Sequence, residues 1–274
     1  MSDNITVIEP QKGWQIVDWK ELIRYKDLFY FLVLRGLKAK YAQSVLGIGW
    51  AIIQPLFSVL VFTVIFGNLA KIDSDGVPYS VFSLCGLVPW AYFSGTLIDS
   101  SSSLISNANM ISKVYFPRLV LPISSAFSKL VDMAISFCIL IGFMIYFQIS
   151  PTIYALMIPY FILIMMLTAV GLGLILSSMA VQYRDVKHAL SFAVQILMYA
   201  APVIYPASKI PAQFQFIYSL NPMVGVIEGF RSALLGTNPM PWDYIITGSI
   251  VAAILAVVGA FYFKRMERTF ADVA

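Results

Sequence analysis

Charge is scarce in this sequence. Its 14 acidic and 18 basic residues make up 12% of 274 positions, against about 25% in an ordinary soluble domain. With 59% hydrophobic residues, the chain is an integral membrane protein. Histidine occurs once, at His188, which excludes a His-rich metal site. The two cysteines, Cys85 and Cys138, lie inside apolar runs and read as small packing residues, not as a disulfide or metal framework. There is no Gly-x-x-x-x-Gly-Lys-Ser/Thr phosphate loop, so the chain cannot bind a nucleoside triphosphate in the P-loop manner. A Gly-x-Ser-x-Gly elbow and a His-x-x-x-His pair are also absent. No constellation for an enzyme site or a bound cofactor is therefore expected, and no metal site. The opening residues do not read as a signal peptide, because charges between Lys12 and Lys40 interrupt every apolar run. No internal repeat or low-complexity tract divides the chain.

What is present is long apolar segments. The fold expected is an all-α membrane protein with three parts: a polar tail over 1–17, an amphipathic interface helix over 18–41 and a six-span domain over 42–274. Spans are expected over 47–69, 79–100, 119–147, 153–181, 189–205 and 244–263, each long enough for a hydrocarbon core of roughly 30 Å. The run Ser100–Ser103 reads as a break after the second span. In the 18–41 segment, Trp19, Leu22, Ile23, Phe29, Val33 and Leu37 share one face, with Lys20, Glu21, Arg24, Asp27 and Lys38 on the other. Its apolar core over 28–34 is too short to cross, so it suits the headgroup region or packing on a partner.

Between the last two spans, residues 206–241 hold five of the 14 prolines: Pro206, Pro211, Pro222, Pro239 and Pro241. Two apolar pieces, 214–220 and 223–235, are too short to span. They read as short re-entrant helices joined at Asn221-Pro222, tolerated at membrane depth only where protein or a watery cavity satisfies the backbone. A gate on a pathway is one reading, and a lipid-facing hairpin packing the last spans together is the other.

Basic residues give the orientation. Seven lie in 1–41, then Lys113, Arg118 and Lys129 around the second-to-third loop, Arg184 and Lys187 in the fourth-to-fifth, and Lys264, Arg265 and Arg268 in the tail. Only Lys71, Lys209 and Arg231 are left for the other face. The positive-inside rule makes both termini cytoplasmic, with the proline-rich insert entering from outside.

In the loop 101–122, Asn107 and Asn109 are candidate helix starts, 110–116 a candidate short helix, and Pro117 and Pro122 bracket the next span. Such a helix suits force transfer from a cytoplasmic motor, or is a plain connector. The adjacent charges Arg184 and Asp185 read as solvated. Among intramembrane charges, Asp132 is placed to pair with Lys129 and Glu228 with Arg231, while Asp99 closes the second span. Aromatics form 15% of the chain. Trp14, Trp19, Trp90 and Trp242 suit the interfacial belt. Phe57, Phe62, Phe66, Tyr199, Tyr205, Phe214 and Tyr218 lie mid-span or in the insert, where flat faces could stack on sugar rings or simply pack.

Taken in order, the interface helix leading into YAQSVLGIGWAIIQP, the LVPWAYFS segment, the KVYFPRLVLP loop, the VQYRDV turn and the APVIYP and LNPM pieces of the insert resemble a known family. They are similar to the membrane subunits of bacterial ABC-type polysaccharide exporters, with those exporting lipid-linked O-antigen as the nearest likeness, from about residue 18 to 268. The resemblance implies a homodimer in the bacterial cytoplasmic (inner) membrane, paired with two copies of a separate ABC ATPase that binds ATP and Mg. It implies ATPase contacts through the interface helix, including Arg24 and Lys26, and through the loop residues Asn107, Asn109, Lys113, Tyr115 and Phe116, the last two as knobs. It implies an external gate over 207–220 and 223–235, bearing Phe214, Tyr218, Asn221, Pro222, Glu228 and Arg231. The substrate implied is a glycan on a polyprenyl diphosphate, with no nucleic-acid partner. It would pass between the first and fifth spans, along Phe57, Phe62, Phe66, Tyr199 and Tyr205. Exporters of capsule or wall teichoic acid share the layout. An ion-coupled secondary transporter, which usually shows broken helices in both halves, is the reading from another class.

Overall fold

A computed structural model of the chain describes residues 19–41, 45–183 and 185–267. The expected 1–17 tail with Lys12 and Trp14 lies outside the described residues, as do Arg184, Arg268 and the side chains of Trp19 and Lys20.

Every regular element among the described residues is helical. The interface segment forms α1 (Trp19–Arg24) and α2 (Lys26–Tyr41), two helices separated by a turn at Tyr25 where one was expected. The next apolar segment, Gly47–Leu69, is a composite. A 3₁₀ turn (Gly47–Gly49) enters α3 (Trp50–Phe62), which runs on into a π turn (Thr63–Leu69). Then follow α4 (Tyr79–Ser106), α5 (Ala108–Ile111) and α6 (Val120–Tyr146). The segment Ile153–Gln182 opens with a 3₁₀ turn and continues as α7 (Ile158–Gln182). The chain ends with α8 (Val186–Ala200), α9 (Gln215–Ser219), α10 (Pro222–Leu235) and α11 (Trp242–Met266).

Five of these segments are long and apolar enough to cross a membrane: Gly47–Leu69, Tyr79–Ser106, Val120–Tyr146, Ile153–Gln182 and Trp242–Met266. The segment expected as a fifth span, 189–205, is different. Its helix α8 has 15 residues, about 22 Å of rise, and gives way to turns after Ala200.

The second span runs past its expected end at Ser100 because the serine run does not break it. Ser101 and Ser102 both donate to the Ile98 carbonyl, and Ser103 donates to that of Ser100. These back-bonds satisfy the hydroxyls inside a continuous helix. The short helix expected over 110–116 is the single turn α5 instead.

The core is built around α4, which packs on α6, α7 and α10. In its most apolar stretch 72% of residues are buried, against 11% in Gly47–Leu69, so α4 is the axle and α3 a peripheral helix. Close packing of membrane helices rests on small residues at the seam. At the α7–α11 crossing, a Cβ on Gly259 would stand 2.2 Å from the Gly171 carbonyl oxygen, so the two backbones touch. A second apolar cluster lies at the end of the bundle where α2 docks. It joins Leu32 of α2, Leu104 of α4, Phe116, Leu121 of α6, Leu174 of α7 and Phe263 of α11, and ties the interface helix to four spans.

Candidate functional site

Three groups of expected residues can be placed. The first is the proline-rich insert. Pro222 opens α10 at a position where no amide donor is needed, and the Asn221 side chain accepts from Met223 N at 3.1 Å, capping the helix. All of α10 is buried, between α4, α7 and α11, so it is not a lipid-facing hairpin. The piece over 207–220 is not one short helix. It consists of two 3₁₀ turns, Ala207–Lys209 and Ala212–Phe214, followed by α9. Phe214, Phe216 and Ile217 are exposed there.

Glu228 and Arg231 form the expected pair at 2.8 Å, with the arginine only 3% and the glutamate 7% exposed. A buried ion pair persists when its remaining hydrogen-bonding groups are also engaged, and here most are. Glu228 accepts from Ala207 N at 3.1 Å. Arg231 donates to the carbonyls of Val203 (2.9 Å) and Tyr205 (3.3 Å), and its guanidinium lies 3.7 Å from the centre of the Phe82 ring. The pair thus binds the irregular chain after α8 onto α10 and α4. At the rim, Lys209 pairs with Asp73 at 2.9 Å and Asn238 donates to Asp75 at 2.8 Å. The lysine's hydrogen bond holds the Asp73 carboxyl below the usual range.

The second group is aromatic. Phe57 and Tyr199 are exposed, at 65% and 57%. Phe62 and Phe66 are half-buried and stacked edge to face, centroids 5.2 Å apart. Tyr205 donates to the Tyr199 carbonyl at 2.9 Å and meets the Tyr218 hydroxyl at 3.5 Å. The structure therefore brings Tyr199, Tyr205 and Tyr218 together. Phe57, Phe62 and Phe66 sit on another part of the surface, because α3 packs on α4 and α6 while α8 packs on α4 and α7. Trp90, expected in the interfacial belt, is buried at 5%; Trp242 is exposed.

The third group forms a platform where α1 and α2 meet the α5–α6 loop. Arg35 of α2 donates to Asn107 at 3.0 Å, and Asn107 donates to the Ser103 carbonyl at 2.8 Å. The Tyr25 hydroxyl donates to the Tyr115 carbonyl, and the Tyr115 hydroxyl to Glu21 at 3.2 Å. Burial and the Glu21 carboxylate raise the Tyr115 phenol above its ordinary value. Tyr115 is 74% exposed, whereas Phe116, expected as a second knob, is 4% exposed and anchors the loop in the second apolar cluster. Arg24, Lys26, Asn109 and Lys113 are exposed beside it.

One set of contacts was not foreseen. Lys129 does not pair with Asp132, one turn along α6. It reaches Asp99 on α4 at 2.8 Å, while Asp132 receives Lys40 at 2.6 Å and the Tyr41 hydroxyl. The sequence signal was the need for a partner near each charge; the partners came from elements 30 and 92 positions away. Among the described residues no group of three or more His, Cys, Asp or Glu is placed to hold a metal ion.

These features define a polytopic helical membrane protein with an interface helix docked on the loop between its second and third spans and a buried helix inserted before the last span. The chain belongs to the ABC-2 type transporter family, whose model matches residues 27–235. It is 27% identical to the O-antigen export system permease protein RfbA of Klebsiella pneumoniae over 248 residues, 90% of this chain and 95% of that protein. Its identity to the protein of the same name from Myxococcus xanthus is 27% over 92% of this chain and 97% of the relative. With the polysialic acid transport protein KpsM of Escherichia coli it is 26%, over 86% and 92% respectively.

Proposed function

We propose that the chain is the membrane subunit of an ATP-driven exporter that moves lipid-linked polysaccharide, of the O-antigen type on a polyprenyl diphosphate, across the bacterial inner membrane. The observation that carries this reading is the near full-length likeness to O-antigen export permeases, on a chain with no phosphate loop of its own. ATP and Mg then belong to a separate ATPase, two copies of it for a homodimer of this chain. The apolar, largely exposed α3 and α8 supply surfaces that a second copy would cover. In that assembly Phe57, Phe62 and Phe66 could face Tyr199 and Tyr205 across the seam.

In mechanism, closure of the ATPases would press on Tyr115, Lys113 and Asn109 and on Arg24 and Lys26. Because Arg35–Asn107 and Tyr115–Glu21 join the loop to the interface helix, both would move together. The fifth crossing would be completed by α8 with the turns after it, giving six spans and cytoplasmic termini. The insert would be a re-entrant outer gate, with α10 as its fixed wall and Phe214, Tyr218 and α9 as its rim.

The test is ATP hydrolysis by this chain co-purified with its ATPase in nanodiscs, with and without lipid-linked O-polysaccharide. Stimulation lost on Tyr115→Ala supports the reading. A complex indifferent to O-polysaccharide but stimulated by capsular glycan would favour the second reading, which the likeness to the polysialic acid transporter motivates. No complex with any ATPase would overturn both.

A further inference from the structure

Two cavities meet at the cytoplasmic end of α6. One, of about 510 Å³, lies between α2, α4 and α6 and is lined by serines of α4 and α6 together with Arg35 and Asn107. The other, of about 730 Å³, lies between α3, α4 and α6 and is walled by Trp50, Phe57, Trp90 and aliphatic side chains. Lys40, Lys129 and Asp132 line both. The junction between a hydroxyl-rich chamber and an apolar one is thus cationic, with two lysines, Lys40 and Lys129, and one carboxylate, Asp132, while Arg35 and Asp99 line the hydroxyl-rich side.

We infer that this junction is the loading site for a phosphate-headed isoprenoid lipid, with the diphosphate between Lys40 and Lys129, the lipid in the Trp90 chamber and the first sugars against the serines. This rests on the proposed export of a lipid-linked glycan and names where that substrate is first held. Amphiphile geometry carries it: polar chamber, cation pair and apolar chamber follow one another in the order of sugar, phosphate and tail. The lysine placement is built. Lys129 is only 18% exposed, and its stem crosses α4 at Gly95, where a Cβ would meet its Cδ and Cε at 3.4 Å. On the other side α2 closes on α6 at Gly36, where a Cβ would stand 2.8 Å from Ser128 Oγ.

The carboxylates stand where phosphate oxygens would. Asp132 holds Lys40 and Tyr41, and Asp99 holds Lys129. A diphosphate offers both lysines stronger charge-assisted bonds than a single carboxylate, so loading exchanges one partner for the other. That exchange also releases the end of α2 from α6, and α2 carries Arg35, which grips the coupling loop at Asn107. Occupancy of the site is thereby transmitted to the platform.

The test is equilibrium binding of radiolabelled undecaprenyl diphosphate to the full chain in phosphatidylcholine nanodiscs. Asp132→Asn frees Lys40 and should bind several-fold more tightly, a gain that a misfolded protein could not show. Lys40→Gln and Lys129→Gln should each weaken binding by about tenfold, the scale of a charged hydrogen bond. Uncharged undecaprenol should ignore all three changes. Unaltered or weaker binding by Asp132→Asn overturns the site. So does displacement of the label by phosphatidylglycerol as effectively as by unlabelled diphosphate, which would make this a surface for bulk phospholipid. Glycan export in cells by a wild-type chain that does not bind the label would remove the site and leave the export function standing. Binding as expected, with surface glycan unchanged when the chain is deleted, would do the reverse.

Discussion

Arg231 and Glu228, one turn apart on α10 and 2.8 Å from each other, act as a staple for chain that has no regular structure of its own. Arginine donates to the carbonyls of Val203 and Tyr205 while glutamate accepts from Ala207, so these two side chains, with the Tyr79 hydroxyl that donates to the Ile204 carbonyl at 2.8 Å, tie down the segment after α8. Removing one partner strands a charge in a buried site, which costs about 3–5 kcal/mol. Arg231→Met should therefore lower the thermal unfolding midpoint in detergent sharply. The double change Arg231→Met with Glu228→Leu should recover only part of the loss, since two carbonyls and an amide stay unpaired. Full recovery would mean that the ion pair matters and the backbone contacts do not.

The rim pair Lys209–Asp73 makes a prediction about pH. Its lysine holds the Asp73 carboxyl below the ordinary aspartate range. For a group with a depressed folded pKa, the contribution is complete above the unfolded value and is lost as pH falls through the folded one. Neutral to mildly acidic conditions should therefore leave the contact intact. Amine labelling of Lys209 should be faster in Asp73→Asn than in wild type, by the same ratio throughout the range from about pH 5 to pH 8. A ratio drifting towards one within that window would show that Asp73 already gains its proton there.

How much of this was legible in the sequence depends on the range of the interaction. Five spans stood out through apolar length, and α10 through Asn221-Pro222 and the apolar run behind it, because those signals are local. The Glu228–Arg231 pair was also local, at one helical turn. The Lys129–Asp132 pairing had the same spacing and was wrong, because Gly95 opens a path for Lys129 to Asp99 and α2 brings Lys40 to Asp132. Spacing along one helix cannot reveal a better partner supplied by another. Phe116 differs from expectation for a related reason: in sequence it looks like its neighbour Tyr115, and only the packing of α2 on α6 and the apolar cluster formed there turn one inward and the other out.

That difference separates the two residues by experiment. Truncating a buried phenylalanine loses its transfer energy and leaves a cavity, about 3–5 kcal/mol, so Phe116→Ala should lower stability and take ATPase coupling down with it. Tyr115→Ala, at an exposed position, should change stability by within about 0.5 kcal/mol and still lower substrate-stimulated ATP hydrolysis in the complex. Unfolding midpoints and ATPase rates on the same preparations distinguish them. Equal loss of stability in both variants would contradict the burial difference.

The contact of α7 with α11 tests whether the spans are held at fixed separation. No side chain intervenes between Gly259 and the Gly171 carbonyl, and a methyl at Gly259 would meet backbone, which cannot rotate away as a flexible side chain would. The helices must then separate, and overpacking of this kind costs about 1–3 kcal/mol. Gly142, on α6, has nothing within 4 Å of its would-be Cβ. Gly142→Ala should be neutral or slightly stabilising, since alanine is the better helix former by about 1 kcal/mol, whereas Gly259→Ala should lower the unfolding midpoint. Because α11 also packs on α10, the displacement should reach the insert, and labelling of Lys209 should rise in Gly259→Ala but not in Gly142→Ala. A fall in stability with Lys209 labelling unchanged would mean that α10 follows α4 and α7, not α11, and that the insert is insulated from the last span.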